Sequence, residues 1–471
     1  MKLYNSLNRD LEEFKPIKKG EAGVYTCGPT VYDFVQIGNW RTYILGDLLV
    51  RSLNYLGYKT KYVMNITDVG HLTGDNEGDS STGEDRLEKG AKREGKTAWD
   101  VAEKYTKDFK QGMHKLGLLK PNKLPKATDH IKEQIVLVEK LEKEGLVYKI
   151  KDGMYFDTVA FEKKGSKYGE LSTLDEIMEG ARVEINKEKK DKRDFALWKF
   201  SPKTKKRDME WESPWGKGFP GWHTECSVMS MKYLGEQFDL HVGGEDLRST
   251  HHPNEIALSE GSTGKKPFVK YWLHGAFLLV DGGRMGKSLG NAYTLQDLEK
   301  KGFSPLDLKY FYLTGHYKKQ LNFTWEALKG AQTALDRLRK KVAGLHGATD
   351  EDTAVSNQYV KKFIERLEDD LDMPGALALV WEMIKDKTLS DGDKKELVVK
   401  FDEVFGLNLA KSDTHLPKDF AETKEVEKLV AERSKLREEE KWEESDSLRE
   451  KIESLGYIVE DKGTQTKVVR K

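Results

Sequence analysis

The sequence predicts an α/β protein built on a doubly wound parallel sheet, with an inserted domain and further helical regions after it. Two observations support this prediction. Residues 24–67 have the order strand, loop, helix and strand, and residues 222–280 again alternate helices and strands around the pair Gly243-Gly244. Because βαβ units bind ligands at the carboxyl ends of their strands, residues that follow each strand are the first site candidates.

The first unit begins at Val24, where a β-prone run ends at Gly28-Pro29. Apolar residues at helical spacing follow, ending near Gly57: Ile44, Leu45, Leu48, Leu49, Leu53 and Leu56. A second strand-like run covers 61–67. Cys27 and Thr67 are therefore predicted to lie at the carboxyl ends of neighbouring strands.

The residues between the two units predict an exposed segment and an inserted domain. Residues 74–96 are rich in Gly, Asp, Glu, Ser and Lys, which predicts a mobile excursion without a catalytic role. Helical patterns over 98–117 and 130–147 and a strand-like MYFDT follow. We assign 1–118 to the first half of the catalytic domain, 119–195 to the insertion and 196–302 to the second half.

After residue 303 the pattern becomes nearly all helical. The predicted helices cover 307–314, 325–346, 358–388 and 393–405, and residues 411–421 predict a linker. The last residues predict one charged helix over 432–453, a short strand and a basic tail. We therefore predict an all-α bundle over 303–421 and a small separate domain over 422–471.

The composition indicates a soluble protein of several domains. The chain has 471 residues, and 80 basic side chains balance 80 acidic ones, so a nucleic-acid partner would have to be bound by local basic patches. Two cysteines give no disulfide framework and fit a reducing compartment. The sequence has neither a signal peptide nor an apolar run of membrane length, so we expect a cytoplasmic protein without membrane contact.

Four side chains form a candidate metal site. Cys27 and Cys226 fall at predicted element ends that face one cleft, and His251 and Glu255 share a helix face at i, i+4 spacing. Two thiolates, an imidazole and a carboxylate suit tetrahedral zinc, provided that the two cysteines lie side by side. The alternative is two buried free cysteines and a solvated His/Glu pair. Spacing alone favours that alternative, because the cysteines form no CxxC cluster.

Two segments are candidates for binding a polyphosphate. Gln36-Ile37-Gly38-Asn39 starts a predicted helix whose free backbone N–H groups suit phosphate oxygens. The loop DGGRMGKSLGN nearly matches a P-loop, but Asp281 stands where the first glycine should be. Its Arg284 and Lys287 can still meet polyphosphate charge, and the alternative is a β-turn with exposed basic residues.

Together these motifs resemble the cysteinyl-tRNA synthetases, class I aminoacyl-tRNA synthetases with a Rossmann-like catalytic domain. The resemblance depends on CGPTVYDFVQIGNWRTY, NITDVG, DFALWKF, SPWGKGFPGWHTECSVMS, DLHVGGEDLRSTHHPNEIA, GRMGKSLGN and SPLDLKYFYLTGHYKKQLNF. The terminal WEESDSLREKIESLGY is similar to the family's anticodon-end motif. The similarity therefore runs from end to end. It makes 303–421 a helical bundle that contacts the tRNA stem and binds the anticodon, and it makes 422–471 an anticodon-end domain.

The resemblance implies ATP-dependent attachment of L-cysteine to tRNA(Cys) through a cysteinyl-adenylate, by a monomer that uses one Zn²⁺ per chain and Mg²⁺ with ATP. It implies that Cys27, Cys226, His251 and Glu255 bind the zinc, which in turn binds the thiolate of cysteine. A soft thiolate binds zinc far better than an alcohol does, so serine would be rejected without editing.

The resemblance also assigns roles to further residues. For catalysis these are Gln36, Asn39 and Lys287; for ATP binding, Gln36, Gly38, Asn39, Arg284, Met285, Lys287 and Ser288; for cysteine binding, Gly28, Thr67 and Trp222; for tRNA binding, Trp442, Asp446 and Arg449.

Both ATP signatures depart from the family pattern, which leaves alternative functions open. Gln36 stands where the first ATP signature usually has histidine, and an amide cannot carry a charge. A charge-assisted hydrogen bond contributes roughly 1.5 to 3 kcal/mol against about 1 for a neutral one, so slower adenylation is expected. The second ATP signature, typically Lys-Met-Ser-Lys-Ser, reads Arg284-Met285-Gly286-Lys287-Ser288 and keeps the second lysine as Lys287. The two altered signatures leave open a catalytically weak RNA-binding relative. A cysteine ligase of the mycothiol-biosynthesis type would lack the domain at 422–471.

Overall fold

The computed structural model describes residues 1–70, 72, 84–172, 187–202, 207–286, 289–347, 354–410, 420–439, 441–454, 457–462 and 465–470. The chain divides into two compact units, Met1–Ser412 and Asp413–Lys471. No helix of the described residues is long and apolar enough to cross a membrane.

The described strands in chain order are β1 (Lys2–Asn5), β2 (Asp10–Glu13), β3 (Glu21–Thr26), β4 (Lys59–Met64), β5 (Val147–Ile150), β6 (Gly153–Phe156), β7 (Phe195–Phe200), β8 (Gly218–Pro220), β9 (Phe238–Gly244), β10 (Val269–Gly275), β11 (Leu278–Val280), β12 (Gly283–Arg284), β13 (Leu321–Phe323), β14 (Tyr457–Lys462) and β15 (Gln465–Arg470).

The described α-helices are α1 (Ile37–Tyr55), α2 (Arg86–Glu94), α3 (Ala98–Lys115), α4 (Ile131–Lys143), α5 (Thr158–Lys163), α6 (Trp222–Leu234), α7 (Glu245–Arg248), α8 (His251–Thr263), α9 (Leu295–Lys300), α10 (Pro305–Leu313), α11 (Trp325–Ala343), α12 (Ala354–Glu368), α13 (Met373–Lys385), α14 (Asp391–Phe405), α15 (Phe420–Glu438) and α16 (Trp442–Ser454).

A four-stranded parallel sheet in the order β10-β9-β3-β4 forms the centre of the first unit. Thr26 lies opposite both Met64 and Val242, so three strands end at the same edge of the sheet. Helix α1 connects β3 to β4 and buries five of the six predicted apolar residues, while Leu56 is its half-buried C-cap. The predicted α/β class and the first βαβ unit are therefore confirmed.

The predicted strand over 272–280 is wrong, because two strands of different sheets occupy that range. β10 ends at Gly275, and β11 pairs with β12 and β13 in a separate small sheet. The chain turns between them, where the Ala276 N–H donates to the Tyr317 carbonyl at 2.9 Å. The buried Arg41 side chain donates to the carbonyls of Ala276 and Phe277, which holds this turn in place.

An antiparallel sheet in the order β5-β6-β7-β8 follows the first half of the parallel sheet in sequence. Its last two strands, Phe195–Phe200 and Gly218–Pro220, begin at residue 195 or later. The limits predicted for the domains stay predictions.

The segment predicted as a mobile excursion contains a helix. Residues 86–94 form α2, which buries Leu87 and Ala91, so the prediction of an exposed segment is wrong for these residues. The Asp85 side chain caps the helix by accepting from the N–H groups of Leu87 at 2.8 Å and Glu88 at 3.1 Å. Residues 74–83 lie outside the described part of the chain.

The helix predicted over 358–388 is two helices, α12 and α13. Asp370 and Leu371 between them have φ angles of 51° and 59°, in the left-handed region that ends a helix. Pro374 then occupies the first turn of α13, and Asp372 caps it by accepting from the Gly375 N–H at 2.9 Å.

The described residues of the second unit form two helices and a hairpin. The single helix predicted over 432–453 is instead α15 and α16, and the predicted basic tail forms β15, which pairs with β14 in antiparallel fashion. The side chain of buried Arg433 donates to the Ser445 carbonyl at 3.2 Å, which ties the two helices together. Residues 411–419 of the predicted linker are outside the described residues.

Candidate active site

Four side chains meet near the carboxyl end of the parallel sheet. Cys27 directly follows β3, Cys226 lies on α6, and His251 and Glu255 lie on α8. Ligand atoms from all four lie within 4.8 Å of one another, and all four residues are buried. The alternative of a solvated His/Glu pair is therefore wrong, and the two cysteines lie side by side as the zinc hypothesis requires.

The backbone explains how the first thiol reaches this cluster. The Cys27 N–H donates to the Val242 carbonyl at 3.0 Å, which continues the pairing of β3 with β9 by one residue. On α8, the i, i+4 spacing brings His251 Nε2 to 2.7 Å from Glu255 Oε1. The Cys27 Sγ lies 3.8 Å from the same carboxylate oxygen.

The charges of the cluster favour a bound cation. Burial raises the pKa of Glu255, but His241 and His251 outweigh it and lower that pKa to about 2. Burial lowers the pKa of His251, but Glu255 and Cys226 raise it to about 10. Burial raises the pKa of Cys226, but its hydrogen bond with Cys27, together with His251, lowers it to about 6. A carboxylate and a thiolate are therefore present in the buried site together with a protonated His251, whose proton a bound metal ion would displace.

Further histidines surround the four side chains. His241 Nε2 contacts the second oxygen of Glu255 at 2.8 Å, and His223 Nδ1 lies 2.8 Å from His251 Nδ1. His252 Nε2 lies 3.5 Å from Cys27 Sγ, and its Nδ1 is 2.7 Å from His274 Nε2. Sequence reasoning missed His223 and His274. The sequence did contain one indication for His223, because it precedes the proposed ligand Cys226 by three residues on the same helix.

A cavity of about 150 Å³ opens beside this cluster, and the three predicted cysteine-binding residues line it. The Trp222 ring stacks on the His251 imidazole with 4.1 Å between ring centres. The Gly28 N–H donates to Asn65 Oδ1 at 2.8 Å, and Asn65 Nδ2 donates to Thr67 Oγ1 at 3.1 Å. Asn65 therefore fixes the two loops that carry Gly28 and Thr67.

A larger cavity of about 690 Å³ adjoins the first and shares part of its wall. The shared residues include Gln36 and Asn39, at the N-terminus of α1, and the larger cavity also reaches Gly38, Arg284 and Met285. Its size is in the range of small-molecule sites. One small and one large compartment therefore adjoin at the first turn of α1.

The loop that resembles a P-loop begins as a hairpin turn. Asp281 and Gly282 have φ angles of 50° and 77°, as a two-residue hairpin turn requires, and Leu279 pairs with Arg284 across it. Arg284 is exposed, as the β-turn alternative predicted, and it also lines the larger cavity. Lys287 and Ser288 lie outside the described residues.

The first turn of α1 is held by backbone contacts. The Gln36 carbonyl accepts from the Asn39 N–H at 3.0 Å, and the Ile37 N–H donates to the Tyr293 carbonyl at 2.9 Å. The Gln36 side chain forms no hydrogen bond that caps the N-terminus of α1. Arg41, one turn further, is buried and donates to four backbone carbonyls, those of Ala276, Phe277, His316 and Lys319.

The three residues predicted to bind tRNA lie in the second unit. Trp442, Asp446 and Arg449 have i, i+4 and i+7 spacing on α16, so they share one face of the helix, and all three are exposed. The Trp442 ring is 54% exposed, and the Arg437 guanidinium lies 5.5 Å from its centre.

Two family models match the chain. The model of the tRNA synthetases class I (C) catalytic domain matches residues 13–333, and that of the cysteinyl-tRNA ligase anticodon binding domain matches residues 421–468. The cysteine-tRNA ligase of Treponema denticola is 41% identical over 494 residues, covering 99% of this chain and 99% of the relative. Cysteine-tRNA ligase 1 of Burkholderia lata is 44% identical, covering 98% of this chain and 94% of the relative.

Solved structures of class I synthetases share the fold. The LeuRS–tRNA–LeuAMS ternary complex of Agrobacterium radiobacter K84 matches with a TM-score of 0.57 at 11% identity, covering 86% of this chain and 87% of that one. Methionyl-tRNA synthetase of Mycobacterium tuberculosis bound by methionyl-adenylate matches with a TM-score of 0.55 at 13% identity, covering 83% and 90%. At these identities the likeness concerns the fold alone.

Proposed function

This chain belongs to the cysteine-tRNA ligases and attaches cysteine to tRNA(Cys), and we propose that a zinc ion held by Cys27, Cys226, His251 and Glu255 selects the amino acid. The observation that carries the proposal is the buried cluster of two sulfur, one nitrogen and one oxygen donor within 4.8 Å. Two sulfur donors favour zinc over magnesium and calcium, which prefer oxygen. When bound, zinc supplies a Lewis acid that binds a thiolate far better than an alcohol.

The surrounding histidines support this assignment, because they orient the proposed ligands. His241 engages one oxygen of Glu255, which leaves the other oxygen facing Cys27 and His251. His223 engages Nδ1 of His251, which leaves Nε2 facing the cluster. Partners of this kind fix the tautomer and direction of metal-binding side chains.

The two adjoining cavities suit the two substrates of adenylation. We place cysteine in the smaller one, beside Gly28, Thr67 and Trp222, with its thiol towards the cluster. ATP with Mg²⁺ then occupies the larger one, where the positive end of the α1 helix dipole at Gly38 can attract phosphate oxygens. The shared wall at Gln36 and Asn39 is where the reacting groups meet.

The chemistry at this wall needs no nucleophilic side chain. A carboxylate oxygen of cysteine forms a bond to the α-phosphorus of ATP, and pyrophosphate leaves with the electron pair of the broken P–O bond. A ribose hydroxyl of the tRNA then attacks the acyl carbon, and AMP leaves. We propose that Gln36, Asn39 and Lys287 act on the reacting phosphate, that Arg284, Met285 and Ser288 complete the ATP site, and that positioning supplies most of the rate.

Two further proposals concern the tRNA contact and the location of the protein. We propose that the exposed face of Trp442, Asp446 and Arg449 contacts tRNA(Cys), since the anticodon-binding family model covers these residues. Both cysteines are free thiols, which supports the cytoplasm as the location. The monomeric state stays a prediction.

The test is cysteine-dependent and serine-dependent ATP–pyrophosphate exchange, with zinc measured on the same sample. We expect one zinc per chain, exchange with cysteine and almost none with serine. Cys226→Ser should lower zinc content and discrimination together, while Ser230→Ala, at another buried position of α6, should change neither. Active protein without zinc, or full discrimination in Cys226→Ser, would refute the zinc assignment. A normal exchange rate would also exclude a catalytically weak relative.

A further inference from the structure

Arg86 is the only lysine or arginine among the described residues that line the smaller cavity. It is the first residue of α2, in the segment whose composition predicts no catalytic role. Its Nη1 donates to the Tyr32 hydroxyl at 3.0 Å, and its guanidinium lies 5.3 Å from the centre of the Tyr32 ring. A permanent cation therefore faces the compartment in which we place cysteine.

The backbone beneath Arg86 is tied to distant parts of the chain. Buried Asp85 caps the helix and forms an ion pair with Arg207, and the side chain of Glu88 accepts from the Asp208 N–H at 3.0 Å. The first turn of α2 is therefore anchored on both sides of Arg86. A guanidinium carried on an anchored turn is held in position before any ligand arrives.

The charges of the cavity wall complement those of a free amino acid. Asp33 and Asp246 also line the cavity and carry carboxylates that can attract an ammonium group, and Asp33 also pairs with Arg93 at 3.1 Å. The thiol belongs at the Cys27 and Cys226 end. His251, which also lines the cavity, belongs to the metal cluster, so the carboxylate of cysteine needs another cation, and Arg86 is the only lysine or arginine in the described wall. Guanidinium and carboxylate form short, charge-assisted hydrogen bonds, often in pairs.

We propose that Arg86 binds the carboxylate of L-cysteine and holds it for attack on the α-phosphorus. The inference rests on the proposed function in placing cysteine in this cavity. By engaging one carboxylate oxygen, Arg86 leaves the other free to form the bond to phosphorus. Because a point cation cannot reproduce the planar fork of a guanidinium, lysine would replace it only in part.

The experiment compares two thiols as ligands of the zinc-loaded protein by titration calorimetry. L-cysteine carries the carboxylate, while cysteamine has the same thiol and amine without it. Arg86→Met should weaken L-cysteine about tenfold or more and change cysteamine less than twofold, and Arg86→Lys should fall between. Lys89→Met, an exposed change on the same helix, should affect neither ligand. In pyrophosphate exchange, Arg86→Met should raise the KM for cysteine.

A second variant separates binding from a structural role. Tyr32→Phe removes the hydroxyl that accepts from Arg86, and we expect the affinity for L-cysteine to stay within threefold of wild type. Equal losses of L-cysteine and cysteamine in Arg86→Met would overturn the proposal, because Arg86 would then only support the cavity. Unchanged affinity with slower exchange would overturn it in favour of a phosphate contact. If the wild-type protein bound cysteamine no better than ethanolamine, the zinc assignment itself would fail.

Discussion

Gly28→Ala should abolish most of the activity, because no room exists for a side chain at this position. A Cβ added at Gly28 would lie 1.7 Å from the Asn65 carbonyl oxygen and 2.8 Å from its carbon. An ordinary C···O contact is about 3.3 Å, so the two loops must separate by about 1.6 Å. These loops carry Cys27 and Thr67, on either side of the proposed cysteine site.

The expected loss follows from that displacement. A misplacement of about 1 Å near reacting groups costs on the order of 100-fold in rate, so kcat/KM for cysteine in pyrophosphate exchange should fall at least that far. Overpacking of this kind also lowers the free energy of unfolding by about 1 to 3 kcal/mol. Urea unfolding, zinc content and exchange kinetics on the same preparation would measure each effect.

Gly330→Ala is the matched control, since nothing lies within 4 Å of a Cβ added at that exposed position of α11. It should raise stability by about 0.5 to 1 kcal/mol and leave exchange unchanged. The reasoning would be refuted if Gly28→Ala kept its exchange rate within twofold of wild type, because the loops would then accommodate the methyl group without moving the site.

Three further changes test other parts of the molecule. Lys287→Ala should lower the single-turnover rate of adenylate formation while tRNA affinity, measured by filter binding, stays the same; a loss of affinity alone would contradict its assigned role. Gln36→His should raise the adenylation rate at low pH by roughly 2- to 30-fold, the difference between a charged and a neutral hydrogen bond, and an unchanged rate would mean that Gln36 does not touch the phosphates. Lys309→Met removes a fully buried cation 3.1 Å from Asp47 and should lower the free energy of unfolding in urea. Because Arg51 still pairs with Asp47 at 2.8 Å, we expect about 2 to 3 kcal/mol, below the loss for an isolated buried pair, and no change would count against a stabilising ion network.

The parts of the fold that follow local rules could be predicted from the sequence. The apolar spacing after Gly38 identifies α1, and the i, i+4 rule places His251 beside Glu255. The break between α12 and α13 was missed although Asp372 and Pro374 signal a new helix, because the apolar pattern continues across it. Periodicity reports which residues are buried and does not show where the backbone turns.

The site residues that escaped prediction are those whose partners are remote in sequence. His223 matters because it contacts His251, 28 residues later in the chain. Arg86 is held in position because the neighbouring Asp85 pairs with the distant Arg207. Composition around Arg86 predicts a solvated loop, and nothing local shows that this residue lines a cavity. The position of Arg86 in the cavity wall follows only from the packing of α2 against the second half of the catalytic region.

The four carbonyls around Arg41 have an electrostatic consequence for the ATP site. Among the described residues no carboxylate forms an ion pair with this guanidinium. Four peptide carbonyls solvate its charge, and the Glu245 carboxylate acts on it only from beyond ion-pair distance. Two of those carbonyls, at Ala276 and Phe277, belong to the wall of the larger cavity. A triphosphate bound there would be attracted by this fixed charge. The guanidinium does not titrate in the physiological range, and its position does not depend on a surface loop.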